Sequence, residues 1–423
     1  MGQGQEWVGR ATGNMRSDWI DILPAQWGAL SPEPLPESLR QSIISLGNFD
    51  GVHLGHRDLI DHSKRSAKPG QKVIAVTLDP HPRALLRPED TGPPILTLER
   101  KVQKLRQAGV DEVIVFRIDS SFLEIRAQDF FDRIIRGILA PQCLIEGDNF
   151  CFGRKREGTI SQLSQLCQKC GIRLEIHPGL LDANGWISTS RIRTLLLEGD
   201  VAKASRLLGA PHETTGEVVS GAQRGRSLGF PTANLLPPKT LVPALGVYAA
   251  KAILPNGQIH DAAVNIGPSA TFGETDLKIE AHLLNFSGGL YGQTLCLEWK
   301  DRIRGPLAFS SPGALQSQIQ SDLIQIQTVL YGATQSPNEV ASNGVDDALF
   351  LKKAQSVVDD LGAPLVGEGG RVMVVGRAGP ALLVRFDGSC QFCPSSLRVL
   401  LLGIEEELAK KLPGIEYLEP VMT

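Results

Sequence analysis

With 423 residues, 42% of them hydrophobic, the chain is long for one domain and well supplied for two or three packed cores. A formal net charge of −3, with 21% charged residues, gives no cationic footprint for nucleic acid, so an anionic substrate has to be met by local groups. No apolar run approaches the roughly 20 residues of a membrane helix, no signal-peptide pattern opens the chain, and the 7 cysteines are too scattered for a disulfide framework, so a cytoplasmic protein with no membrane or nucleic-acid partner is expected.

Residues 1–40 are polar, interrupted by Trp and Pro, and form an N-terminal extension. From Ile43 to about Cys170, strand and helix patterns alternate. Ile43–Leu46, Lys72–Leu78, Val110–Phe116 and Cys143–Glu146 read as strands, and Glu99–Ala108 and Phe130–Ile138 as helices. Strands separated by helices predict an α/β doubly wound parallel sheet over residues 41–200, whose ligands sit beyond the carboxyl ends of the strands. His53–His56, Asp79–Pro82 and Gly147–Phe150 each follow a strand and would gather at that edge.

The run Leu46-Gly-Asn-Phe-Asp-Gly-Val-His-Leu-Gly-His56 carries the most chemistry. It puts His53 and His56 at the first turn of a helix, where free backbone N–H groups and the dipole favour an anion. Gly47 and Gly51 permit a sharp turn, and Gly55 removes a side chain where a phosphate must approach. His-x-Gly-His at a strand-to-helix junction is the signature of nucleotidyltransferases that pass an AMP or CMP group to a phosphate.

After Gly199 the texture changes to short β-rich runs between Gly, Pro and Asn turns: Gly216–Val219, Gly246–Leu254, Ala262–Val264, Lys278–Leu284 and Leu295–Trp299. They predict a small antiparallel β-barrel over residues 205–332, closed by a helix from Ser311 to Leu330. Residues 333–344 are a polar linker. Residues 345–423 predict a third, small α+β domain: a helix from Val345 to Leu361, strands Val372–Val375 and Ala381–Phe386, and a helix from Ser395 to Leu412. A second Cys-x-x-Cys, Cys167-Gln-Lys-Cys170, ends a helix stopped by Gly171 and reads as structural.

Residues Ile43–Arg193 resemble the FMN adenylyltransferase half of bacterial bifunctional riboflavin kinase/FAD synthetases. The likeness rests on Gly47–His56, Thr77-Leu-Asp-Pro-His-Pro82, Gly147-Asp-Asn-Phe-Cys-Phe-Gly153 and Ile187-Ser-Thr-Ser-Arg-Ile-Arg193. It implies that a phosphate oxygen of FMN attacks the α-phosphorus of ATP. His53 and His56 would hold the ATP phosphates within a loop formed by Gly47, Asn48, Asp50 and Gly55. Asn48 and Asp50 would order the turn, or orient a histidine and the Mg²⁺ shell. Ser188, Thr189, Ser190, Arg191 and Arg193 would bind the departing pyrophosphate, where a guanidinium fork suits paired oxygens. Asp79, His81, Pro82 and Asn149 would contact the flavin. Asp79–Pro82 also reads as a rigid turn, and Ser188–Arg193 as a helix cap. Leu78 stands where an aromatic residue is usual.

Gly216–Trp299 resembles the riboflavin kinase half of the same enzymes, through Gly221–Asn234, Gly246-Val-Tyr248, Asn265-Ile-Gly267 and Ile279-Glu-Ala-His282. The Gly221–Gly229 loop, with Gly221, Arg224, Gly225 and Arg226, suits a cationic cover over ATP phosphates. In Pro231-Thr-Ala-Asn234 a hydroxyl and an amide two residues apart share one side of an extended chain, so Thr232 and Asn234 suit an oxygen-loving Mg²⁺. Glu280 lies mid-strand in an apolar context, and the resemblance makes it the base that takes the proton of the ribityl hydroxyl. Strand alternation also allows Glu280 and His282 to face solvent.

Residues 345–423 resemble the NifU-type iron–sulfur scaffold domain, through Gly367-Glu-Gly-Gly370, Arg385–Ser396 and Gly403-Ile-Glu405. The resemblance implies a 4Fe–4S iron–sulfur cluster on Cys390 and Cys393. Two thiols do not fill a cluster, so a homodimer through this domain would complete it and iron–sulfur recipient proteins would follow. The helix after the motif has Val399-Leu-Leu-Leu402 where Thr-Leu-Lys is usual. The resulting expectation is an enzyme that phosphorylates riboflavin to FMN and adenylylates FMN to FAD, using ATP and Mg²⁺. The alternative is an iron–sulfur carrier that retains one or neither flavin activity.

Overall fold

Runs of Ile, Val and Leu without polar alternation are strands buried on both faces, and these segments build the first sheet. The computed structural model describes residues 18–29, 32–220, 230–236, 238–268, 277–309, 311–331, 346–362, 370–378, 381–388, 411–412, 415 and 417–420. Strands β1 (Ile20–Ile22), β2 (Ile43–Leu46), β3 (Val73–Asp79), β4 (Glu112–Arg117), β5 (Cys143–Gly147) and β6 (Arg173–His177) form one sheet in the order β1-β4-β3-β2-β5-β6. Every pairing in it is parallel. Apolar cores cover both faces, one holding Ala75, Val113 and Val115, the other Ile74, Ile114 and Phe116.

The sequence places residues 1–40 outside this sheet, and the structure corrects that. β1 pairs with β4 through Ile20↔Ile114, Asp21↔Val115 and Ile22↔Phe116, and Trp19, Trp27, Leu35 and Leu39 are buried. The apolar residues that cover this sheet edge are too few and too interrupted by Pro to register as periodicity.

Helices α1 (Leu54–Ser66), α2 (Leu98–Gln107), α3 (Ile160–Cys170), α4 (Thr189–Glu198) and α5 (Val201–Leu208) accompany the sheet, with a π-helical segment over Phe130–Leu139. Polar residues cap them: the Thr97 hydroxyl accepts from the Arg100 N–H, and the Thr159 hydroxyl from the Gln162 N–H. α3 stops at Gly171 in the left-handed conformation, with Cys167 buried and Cys170 exposed.

Strands β9 (Glu213–Val219), β10 (Ala233–Leu235), β11 (Gly246–Ile253), β12 (Ile259–Pro268), β13 (Leu277–Leu283) and β14 (Thr294–Arg304) follow a short hairpin of β7 (Leu181–Asp182) and β8 (Gly185–Trp186). They close a barrel in the order β9-β10-β13-β12-β11-β14, antiparallel throughout. Tyr248 and Trp299 fill it edge to face, ring centroids 5.2 Å apart, and the Trp299 indole donates to the Thr214 hydroxyl at 2.8 Å. Helix α6 (Pro312–Tyr331) packs Ile326 against Val247 and Ala249, and Asp322 accepts from the Arg304 guanidinium.

Sheet and barrel share one hydrophobic cluster running from Trp19 and Phe49 through Leu196 and Leu208 to Val264 and Trp299. The Arg302 guanidinium crosses from the barrel to the Glu198 carbonyl at 3.0 Å, and the Leu241 N–H reaches the Pro94 carbonyl at 2.7 Å.

In the C-terminal region, helix α7 (Asp346–Gly362) buries Ala354 and Val358. Strands β15 (Gly370–Ala378) and β16 (Ala381–Gly388) are antiparallel, and β17 (Tyr417–Pro420) adds a parallel edge. The linker, and nearly all of the helix expected over residues 395–412, lie outside the described residues.

Candidate active sites

β2 is the point where the parallel sheet changes direction: its neighbours are β3 on one side and β5 on the other. Ligands of such sheets occupy the crevice there. Pairing of β2 with β5 covers only Ile43↔Cys143 and Ile44↔Leu144, whereas β2 stays with β3 as far as Leu46↔Val76. Into the gap comes Glu146, which sequence reasoning missed. Its buried carboxyl accepts the Leu46 N–H at 2.8 Å, and burial pushes its pKa well above the usual range.

The turn after β2 is strained. Phe49 and Val52 hold positive φ of 46° and 42°, and both are buried. Asp50 ties this turn down: its carboxylate accepts the Ile95 N–H at 2.9 Å and lies 3.6 Å from Arg193. Of the two roles expected for Asp50, the geometry matches ordering the turn. His53 caps α1, its Nδ1 accepting the His56 N–H at 3.3 Å. The two imidazoles stack with centroids 3.6 Å apart and an interplanar angle of 18°. A Cβ on Gly55 would lie 3.3 Å from both the His53 Nδ1 and the Ile187 carbonyl oxygen, so a larger residue would make the imidazole or the next segment give by a few tenths of an ångström.

Burial, aided by Arg57, pushes His53 down to about 4; burial, then His53 and Lys101, holds His56 well below its ordinary value. Both are neutral donors at pH 7. The His56 Nδ1 and the Asn48 Oδ1 are buried without a hydrogen-bond partner.

Ile187–Arg193 lies against the same turn. The Thr189 hydroxyl donates to the Asp50 carbonyl at 3.1 Å, and Ser188 caps α4 by accepting the Arg191 N–H. Arg193 donates to the Pro93 carbonyl at 2.8 Å, and Ser190 is exposed on the first turn of α4. Arg191, expected on a phosphate, instead forms a two-pronged pair with Asp182 at 2.6 and 2.8 Å and clamps the β7–β8 hairpin to α4. The sequence-stretch that precedes it gave no sign of this partner, because Asp182 belongs to a hairpin too short to show a strand pattern.

At the end of β3, Asp79 is ion-paired with Arg117, which also holds Asp21 at 2.7 Å. His81 caps a short helix that begins at Pro82, its Nδ1 accepting the Arg83 N–H at 3.0 Å. Asn149 is exposed in the loop after β5. A second residue that sequence reasoning missed is Lys101 of α2, buried with its Nζ 3.3 Å from the Thr77 hydroxyl.

On the barrel, Glu280 sits in register between Asn234 of β10 and Asn265 of β12, so the three side chains form a row across neighbouring strands. The apolar setting expected for Glu280 is corrected: alternation turns Ile279 and Ala281 into the core and leaves Glu280 and His282 half-buried on the other face. Thr232 precedes β10 on the Asn234 side, also half-buried. The His282 Nδ1 lies 2.8 Å from the Pro231 carbonyl oxygen, joining the two strands of this row. Gly221, Arg224, Gly225, Arg226, Cys390 and Cys393 lie outside the described residues.

A doubly wound sheet carrying stacked imidazoles at its switch point, joined to a closed six-stranded barrel, defines a two-domain enzyme of the nucleotidyltransferase type with a flavokinase-like barrel. Family models match in that order: FAD synthetase over residues 35–191, riboflavin kinase over 208–330 and a NifU-like domain over 355–419. A bifunctional riboflavin kinase/FMN adenylyltransferase of Haemophilus influenzae is 34% identical over 67% of this chain and 93% of its own length. Its namesake from Bacillus subtilis is 36% identical over 68% of this chain and 92% of its own. A crystal structure of a protein named as a macrolide-efflux protein from Streptococcus pneumoniae, 30% identical, superposes with a TM-score of 0.65, covering 74% of this chain and 99% of that one. The chain belongs to the family of bifunctional riboflavin kinase/FMN adenylyltransferases, with a NifU-like domain appended. No helix among the described residues is long and apolar enough to cross a membrane.

Proposed function

We propose that this chain phosphorylates riboflavin at the barrel and adenylylates the resulting FMN at the sheet edge, with ATP as donor in both steps. The observation that carries the adenylyl-transfer reading is the neutral His53/His56 pair at the β2 switch point, with the His56 Nδ1 buried and unpartnered. Neutral imidazoles can donate to phosphate oxygens without bringing charge of their own. A phosphate oxygen of FMN attacks the α-phosphorus of ATP and pyrophosphate leaves, so the protein's work is alignment and neutralisation of charge. Thr189, Ser188, Ser190 and Arg193 adjoin the turn and suit the pyrophosphate. Arg191 takes that role only by leaving Asp182. Asp79, His81, Pro82 and Asn149 remain the candidates for flavin contact.

For the kinase step, the row Asn234–Glu280–Asn265 supports Glu280 as the group that takes the proton of the ribityl hydroxyl as its oxygen attacks the γ-phosphorus, while the bond from that phosphorus to its bridging oxygen breaks and ADP leaves with the electron pair. Thr232 and Asn234 offer a hydroxyl and an amide oxygen beside it, a hard-oxygen set suited to Mg²⁺, which would neutralise ATP phosphate charge there. The glycine-rich loop with Arg224 and Arg226 would cover the phosphates.

The NifU-like match supports a cluster-binding role for Cys390 and Cys393. Their thiolates suit iron, and because two ligands leave a 4Fe–4S cluster half-coordinated, a second copy of the chain would complete the site. The test is direct: purified chain, riboflavin, ATP and Mg²⁺, with products separated by chromatography. FMN and FAD together support the reading, and neither product overturns it. Anaerobic reconstitution with iron and sulfide, comparing the chain with Cys390→Ser, reads the third domain, where an unchanged spectrum removes Cys390 as a ligand.

A further inference from the structure

Lys101 is the buried cation of the sheet-edge site. Its Nζ donates to the Thr77 hydroxyl at 3.3 Å, and that hydroxyl donates to the Asn48 carbonyl at 3.1 Å, so β3, the turn after β2 and α2 meet at this nitrogen. No carboxylate lies within ion-pair distance of it among the described residues. Asp50 and Asp79 act on it from farther away, and both have other partners: Asp50 the Ile95 N–H and Arg193, Asp79 the Arg117 guanidinium. A buried ammonium with one neutral hydrogen bond is an expensive arrangement, and burial lowers its pKa accordingly. The Asn48 Oδ1 and His56 Nδ1 are also buried and unpartnered. An ammonium with a single neutral hydrogen bond beside an unpartnered imidazole nitrogen, at one switch-point crevice, describes a site suited to an anion.

Lys101 borders both groups of candidate residues, through Thr77 of β3 and, by way of that hydroxyl, the Asn48 carbonyl of the turn after β2. Its charge acts on His56, on the nucleotide side, and on His81, on the β3 side where the flavin is expected. We propose that Lys101 is a catalytic residue of adenylyl transfer, its ammonium binding the oxygens of the FMN phosphate and the ATP α-phosphate where the two meet. This rests on the adenylyltransferase reading above. In the step, an FMN phosphate oxygen bonds to the α-phosphorus while the bond from that phosphorus to its bridging oxygen breaks. The electron pair departs with pyrophosphate, and Lys101 keeps its protons and offsets the charge that builds on the equatorial oxygens.

The test uses the full chain with FMN, ATP and Mg²⁺, and riboflavin phosphorylation by the same preparation reports folding. Lys101→Met keeps the stem and removes the charge; it is expected to lower kcat for FAD formation by about 100-fold or more, the scale seen when a charge-stabilising donor is lost, with the kinase rate within about twofold. Lys101→Arg is expected to restore about tenfold of that loss. FAD formation by Lys101→Met within about threefold of the parent overturns the proposal. Should that variant lose the kinase as well, Thr77→Val decides the matter: a kcat about tenfold lower supports the lysine's placement, and an unchanged kcat overturns it. A parent chain that makes FMN but no FAD sinks the adenylyltransferase reading itself, an outcome distinct from a parent and a Lys101→Met that are equally active.

Discussion

His53 and His56 lie face to face, their ring centroids 3.6 Å apart, and neither can take a proton easily while buried there. The pH consequence has a definite sign. His53 is held down to about 4 in the folded chain, whereas an unfolded histidine titrates near 6.5. Above pH 6.5 both states are neutral and the fold has its full stability. Below it the unfolded chain binds the proton first, so stability falls as pH drops toward 4 and levels off beneath that. One such group is worth about 3 kcal/mol across the window. His212, buried at the sheet–barrel seam with its Nε2 2.7 Å from the Leu241 carbonyl oxygen, is also pushed down to about 4 and adds to the same window. The melting temperature should therefore fall steadily from pH 6.5 to 4.5, and His53→Asn should flatten the slope. A parent chain with constant Tm over that range would contradict this account.

The two chemical centres sit on separate elements, which makes their activities separable. His56→Ala removes one ring of the stacked pair and should lower FAD formation by about 100-fold or more while leaving riboflavin phosphorylation intact. Glu280→Ala should do the reverse when FMN is supplied, since Glu280 lies on the barrel row beside Asn234 and Asn265. Chromatographic separation of FMN from FAD checks both in one assay. Loss of both activities from either substitution in a folded chain would dismantle the two-site assignment.

Glu146 separates β2 from β5 at the crevice, and its role there is as an acceptor for the Leu46 N–H. Glu146→Gln keeps the acceptor and never ionises. With the folded pKa raised, the carboxyl opposes folding as pH rises above the ordinary carboxylate range, because the unfolded chain gains by ionising and the folded chain does not. Glu146→Gln should then raise Tm by a margin that grows with pH, with FAD formation within about twofold of the parent. Glu146→Val strands a buried N–H and should lower both Tm and FAD formation. Thermal melts across pH with paired rate measurements separate the cases; a glutamine variant as impaired as the valine one would show that the acid proton itself is needed.

Four of the six sheet strands, five of the six barrel strands and the His-x-Gly-His turn are legible in the sequence because each has a short-range mark: an unbroken apolar run, strict alternation, or glycines at fixed offsets; β6 and the three-residue β10 lack one. What escaped is long-range. Glu146 and Lys101 sit in ordinary strand and helix patterns, and nothing within a few residues of either shows that the fold buries it beside Leu46 or Thr77. The pairing of Arg191 with Asp182 depends on a hairpin of two-residue strands. β1 escaped for a related reason, since three residues have no period. One signal was available for the lysine: Val102 and Leu105 put the apolar stripe of α2 beside Lys101, so a charged residue bordered the core-facing side.

Glu213, in the first barrel strand, binds Arg100 through two hydrogen bonds of 2.7 and 2.8 Å and Lys104 through one of 3.0 Å, both on the helix that carries Lys101. The carboxylate is nearly buried, and its two cations hold its pKa below the usual range against the opposing pull of burial. Glu213→Ala would leave the buried Lys104 without its anion, a loss of about 2–3 kcal/mol once the partial exposure of Arg100 is discounted. Because sheet and barrel share one core, the cost should fall on the whole unit, lowering the urea midpoint of both activities together. Under native conditions the two activities should part company: α2 loses its anchor on the barrel, and Lys101 with it, so FAD formation should drop by about fivefold or more while FMN formation, seated on the Asn234–Glu280–Asn265 row, changes little. Kinetics of the two steps on one preparation, with a urea titration alongside, test this. Equal losses in both rates, or none in either, would mean that the seam joins the domains without setting the position of α2.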